Sequence, residues 1–288
     1  KLEMPSPKVA IDKLRDMRSK EAVVPLIGVY EKGKNKSSVI GALIKIGDKQ
    51  AIPTFLKAIG DNDEPDTAKQ AAAALIAWKE TKGHGDAMAK IIKNKKARKE
   101  VLYAALRVLA QDPVKSAIPS LLRIVKGDPD IQPIALNSLA AESLGKLGVE
   151  SAVDSLIEGL WLDDSSAMRR NMNQEARMAL VRIGPKALPK ILNTFDRKNK
   201  VVEKRAKKLR YSIGGLVEAK TADLLNDLPD PSSVDSLVKA LGTWEEMPAS
   251  IQDNKRRMDN FIRGRIQKVI NCASALAAIG DERGVEPM

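Results

Sequence analysis

The chain holds one histidine and one cysteine, which limits the chemistry it can perform unaided. His84 lies in Lys82-Gly83-His84-Gly85-Asp86, a turn sequence with no accompanying motif. A Ser-His-Asp or Cys-His device would have to use it. Cys272 lies in Val269-Ile270-Asn271-Cys272-Ala273, an apolar helical stripe in which a thiol behaves as a small core residue. A zinc or iron site of the usual nitrogen and sulfur ligands cannot be assembled from this pair. The acidic run Asp61-Asn62-Asp63-Glu64-Pro65-Asp66 suggests calcium, but Asp66 and Ala72 stand where an EF-hand loop needs glycine and glutamate. It reads as a solvated loop. Gly214-Gly215 end a helix and lack the spacing of a phosphate loop. The expectation is a chain that is not an enzyme, with no catalytic residue, metal, cofactor or small-molecule substrate.

Binding is better represented than catalysis. The formal net charge is +12 and the pI about 9.6, a balance that favours acidic partners. Three basic clusters carry much of it. The first is Lys93, Lys95, Lys96, Arg98 and Lys99, which reads as a solvated turn. The second comprises Arg197, Lys198, Lys200, Lys204, Arg205, Lys207, Lys208 and Arg210, opposed only by Glu203. The third comprises Lys255, Arg256, Arg257, Arg263, Arg265 and Lys268, opposed by Asp259. The last two are expected at turns entering the first helix of a helix pair, where stacking in register would join them into a basic ridge. Trp161 and Trp244 follow Leu160 and Leu241 near helix ends, and indoles there either plug the next layer or anchor a partner.

The elements that position these residues are helices. Apolar residues make up 43% but aromatics only 3%, so a core must be filled by Ala, Leu, Ile and Val. One phrase recurs: an apolar run closing on Gly, a polar turn, then Ala-apolar-Pro. It appears as Ile46-Gly47-Asp48 leading to Ala51-Ile52-Pro53, and as Ile183-Gly184-Pro185 leading to Ala187-Leu188-Pro189. The Pro positions or their replacements step by 28, 36, 30, 35, 35, 46 and 51 residues. Such steps fit two helices of about 11–14 residues with two short turns. Gly supplies a left-handed helix end, the following Asp caps the next helix, and Pro sits where its missing donor costs little. The pairs are expected at 9–32, 36–60, 67–94, 97–126, 131–162, 168–195, 200–242 and 258–288, broken by long connections from Glu218 to Ser233 and from Gly242 to Asn254.

The Gly-Asp-x-x-Ala-apolar-Pro phrase at residues 47–53 resembles the HEAT-repeat superfamily, most closely its bacterial subgroup named after phycobilisome lyases. The resemblance implies an all-α fold, a right-handed α-solenoid of about seven to eight stacked antiparallel helix pairs forming one domain over residues 1–288. Deoxyhypusine hydroxylase, a metalloenzyme of this architecture, uses repeated His-Glu pairs that this sequence lacks. The alkylpurine DNA glycosylases share the solenoid, but no local motif of theirs is matched. The leading functional expectation is a scaffold that binds an extended or acidic protein partner within a larger assembly. Sequence-nonspecific nucleic-acid binding through phosphates comes second, and a phycobilin-lyase-like or glycosylase-like enzyme last. The candidate partner-binding residues are the second cluster, Lys255, Arg256, Arg257, Arg263 and Arg265 of the third, and the two tryptophans. No apolar run reaches the roughly 18 residues needed to span a bilayer. The first residue is Lys1, so a leader removed upstream is compatible with the sequence, and cytoplasm and periplasm both stay open. The last repeat is expected to continue beyond Met288, because an uncapped terminal pair would expose its apolar face.

Overall fold

The computed structural model describes residues 6–163, 168, 170–208, 215–244 and 246–285. Regular structure among them is helical, apart from one isolated bridge between Asp163 and Asn171. The chain divides into two compact units, residues 1–143 and 144–288.

The first unit contains α1 (Pro7–Met17), α2 (Val23–Glu31), α3 (Lys36–Ile46), α4 (Ile52–Ile59), α5 (Pro65–Ala77), α6 (Gly85–Lys93), α7 (Lys99–Leu109), α8 (Ile118–Val125) and most of α9 (Ile134–Lys146). Each repeat begins with a helix closed by a turn. Gly47 takes φ +79° and its N–H returns to the Leu43 carbonyl, a conformation that a Cβ would strain. Asp48 then accepts from the Gln50 N–H at 2.9 Å, opening a tight turn in which Ala51 is fully buried. Pro53 follows at the start of α4. The same buried alanine recurs at Ala117, Ala152 and Ala187, because this tight corner has no room for a larger side chain.

Packing follows chain order. α3 rests on α1 and α5, and α5 on α7. Fully buried Ala68, Ala71, Ala72, Ala104 and Ala105 let these helices approach closely, while Phe55 and Trp78 meet with ring centroids 5.2 Å apart. Polar ties reach across one repeat: Lys36 to Asp61 at 2.6 Å, Ser116 to Asp86 at 2.6 Å, and the Arg98 N–H to Asn62 at 3.0 Å.

The second unit contains α10 (Val153–Gly159), α11 (Asn173–Ile183), α12 (Leu188–Phe195), α13 (Lys200–Lys208), α14 (Leu216–Asp227), α15 (Val234–Leu241), α16 (Ala249–Gln252) and α17 (Lys255–Ile279). α14 packs on α11, α12 and α17, and α15 and α16 pack on α17. Arg177 of α11 grips α14 by pairing with Asp227 at 2.6 Å and with Asp223. Asn271 of α17 donates to the Ala219 carbonyl of α14 at 2.8 Å.

Two expectations change here. The stretch from Glu218 to Ser233 is not a long connection. Most of it is α14, whose Val217, Ala219, Thr221, Ala222, Leu224 and Leu225 are buried. The pair expected over 200–242 is therefore α14 with α15, and α13 is an additional helix against α10 and α14. The other connection, Gly242 to Asn254, is real but carries the short α16.

Candidate interaction surface

The second basic cluster begins in the turn after α12 and runs along α13. Among the described side chains of that helix only Val202 is fully buried, so α13 is a thin element with a polar outside. Arg197, in the left-handed region at φ +64°, is drawn into the protein's own charges. It meets Glu203 at 2.6 Å and Glu218 at 3.2 Å. Lys198 pairs with Asp196 at 2.9 Å, and Arg205 with Glu158 at 3.2 Å. Those three cations hold turns and helices together. Lys200, Lys204 and Lys207 are exposed and make no ion pair among the described residues. The Lys208 side chain and Arg210 lie outside the described residues.

The third cluster does not sit in a turn entering a helix pair. It lies on α17 itself, whose first turn is Lys255-Arg256-Arg257. Three cations stand at the positive end of the helix dipole with no acid in that turn, an arrangement that favours an incoming anion. Asn254 supplies the cap, accepting from the Arg257 N–H at 3.0 Å. Lys255, Arg256, Arg257 and Arg263 are exposed and without an ion pair among the described residues. Arg265 turns inward, its guanidinium 4.7 Å from the Phe261 ring centroid and 5.8 Å from that of Trp244. Lys268 is buried and donates to the Thr243 carbonyl at 2.5 Å.

The two tryptophans part company. Trp161 is 4% exposed, so it belongs to the core rather than to a contact surface. Lys220 lies 5.4 Å from its ring centroid and donates to the Leu160 carbonyl at 2.9 Å, and burial pushes the Lys220 pKa down. Trp244 is 59% exposed and is held by its stack on Arg265.

One feature escaped the sequence reading. Ile262, Ile266 and Ile270 recur one helical turn apart on α17 and are 42%, 53% and 52% exposed. They occupy the side of the helix away from buried Phe261, Lys268 and Cys272. Arg256 and Arg263 project beside this stripe. The signal was present as a second four-residue period in the same helix.

Cys272 is fully buried and its thiol is pushed up to about 12 by burial. Among the described residues, no group of three His, Cys, Asp or Glu side chains is placed to hold a metal ion. No helix among them is long and apolar enough to cross a membrane.

Compared with known proteins, residues 85–177 match the family profile described as HEAT repeats. No curated protein matches it.

Proposed function

We propose that this HEAT-repeat chain is a non-catalytic scaffold that docks an acidic, amphipathic protein segment on the outer face of α17. Helical repeats of this type commonly serve protein interaction. The observation that carries the reading is the exposed Ile262-Ile266-Ile270 stripe beside the unpaired Arg256 and Arg263. Isolated exposed apolar residues are ordinary, but three in register on one helix form a seam that a partner helix can cover. Flanking cations would then select a partner bearing Asp or Glu and speed its encounter. Trp244 at 59% exposure adds an aromatic contact close to the same helix.

The second reading is nucleic-acid binding through phosphates, favoured by the exposed, unpaired Lys255, Arg256 and Arg257. Phosphates reward cations but give an isoleucine stripe nothing to cover. Two variants separate the readings: I262S/I266S/I270S, and R256E/R263E. Affinity capture with the intact protein should lose the same bound partner with either variant. Random duplex DNA, titrated with salt, should show no binding near physiological ionic strength. Micromolar duplex binding that falls steeply with salt, survives the serine variant and is lost in the glutamate variant would replace the scaffold with nucleic-acid binding.

A further inference from the structure

A cavity of about 350 Å³ opens in the second unit between the turn after α12 and helices α14, α15 and α17. Its walls include Asp196, Arg197, Lys198, Glu218, Lys239 and Lys268, with Asp235 and Thr243 beside them. Most of these charges have partners. Asp196 takes Lys198 at 2.9 Å, and Glu218 takes Arg197 at 3.2 Å. Asp235, one turn before Lys239 on α15, is instead engaged by Arg283 at 3.0 Å. The two arginines are each shared by two carboxylates: Arg197 also meets Glu203 at 2.6 Å, and Arg283 also meets Asp281 at 2.7 Å.

Two cations stand outside these pairs. Lys239 is exposed, and Lys268 is 4% exposed. Neither has a carboxylate within ion-pair distance among the described residues. An ammonium carries three donors, and Thr243 takes one of those on Lys268 with a neutral carbonyl. Burying a cation without a counter-charge is costly, and natural structures pair such groups or give them a bound ion. The aliphatic stem explains why Lys268 crosses the interior here, since it packs beside Gly215, where a Cβ would come within 2.9 Å of the Lys268 Cδ. It does not explain the charge at its tip.

We infer that this cavity is a binding site for a small oxyanion of the phosphate-monoester type, with Lys268 as its buried anchor and Lys239 as its outer cation. Lys268 and Lys239 offer several free N–H donors from two sides, which a phosphoryl group with three acceptor oxygens takes up more fully than a carboxylate with two. The volume holds a phosphoryl group and part of the small molecule it esterifies. Arg197 and Lys198, although paired, stand close enough to the site to add to its field. The inference is independent of the docking face on α17, which uses other residues.

Inorganic phosphate is the probe. Thermal unfolding and calorimetric titration of the full chain are compared in phosphate, acetate and chloride at matched ionic strength. Phosphate at about 10 mM should raise the unfolding temperature by a few degrees, more than acetate does, while chloride has no effect. Lys268→Met removes the charge and keeps the stem, so it should unfold later than wild type in chloride and lose the phosphate gain. Lys239→Ala, at an exposed position, should fold normally and weaken phosphate about three- to tenfold. R256E/R263E should leave the phosphate response unchanged. No phosphate-specific gain in the wild type, or a full gain retained by either lysine variant, overturns the site.

Discussion

At the scale of single residues, burial decides which groups are reactive. The Cys272 thiol is fully enclosed and raised to about 12, above the ordinary thiol value, so the folded protein prefers its protonated form. A group whose folded pKa is raised contributes its stability fully below the unfolded value, near 8.5, and loses it as pH climbs towards the folded one. The thiol should therefore react with an aromatic disulfide reagent at pH 8 at least about a hundredfold more slowly in the native protein than in denaturant. Reaction at similar rates in both would mean that the α14–α17 interface opens readily. Asp281 behaves in the opposite sense. Its hydrogen bonds with Arg283 hold the carboxyl down at about 2, so what its cap contributes is present above pH 4 and disappears as pH falls towards 2. The tryptophans show where residue types stop being informative. Trp161 and Trp244 have similar sequence settings, yet one is sealed in the core and the other stacks in the open on Arg265. Only the path of the chain after the helix separates them.

At the scale of helices, close approach sets the tolerance for change. Gly145 near the end of α9 faces Ala179 of α11, and a Cβ there would lie 2.5 Å from the Ala179 Cα. Gly→Ala inside a helix ordinarily gains up to about 1 kcal/mol from propensity. Here the backbone opposite cannot yield cheaply, so Gly145→Ala should lower stability by about 1–3 kcal/mol in chemical denaturation. A gain in stability would show that the helix pair has slack. Helix pairs marked by both parts of the repeat phrase were the most legible: the pair expected at 36–60 is Lys36–Ile46 with Ile52–Ile59. Legibility failed at α14. The breakers Asp227-Leu228-Pro229-Asp230-Pro231 mark a short turn, but they make the preceding segment resemble a loop. That segment buries Ala219, Thr221 and Ala222, small residues that declare little hydrophobic periodicity. The α17 surface was half legible for a related reason. Its cations are visible from composition, whereas two four-residue stripes run along one helix, and the sequence does not say which of them a neighbour covers.

At the scale of the molecule, stability is assembled from neighbours. Within each unit helices contact near neighbours in the chain, and the polar ties of the first unit reach 25 to 36 positions along the chain, about one repeat. In such an array an interior defect should spend its energy locally instead of unfolding everything at once. Phe55 tests this, because it is fully buried on α4 and packs against Trp78. Phe55→Ala removes most of a buried ring and leaves a void, a loss of about 3–5 kcal/mol. Native-state hydrogen exchange should show that loss in the amides of α3 to α6, while the amides of α14, α15 and α17 keep their wild-type protection. The contrast would be graded, declining through α7 and α8 as the number of intervening interfaces grows. An equal loss of protection in every helix would mean that the repeats melt as one cooperative body. A scaffold built from separable neighbours has a functional consequence: a partner seated on α17 would stiffen α14 and α15 through their shared interfaces and leave the early helices of the chain unaltered.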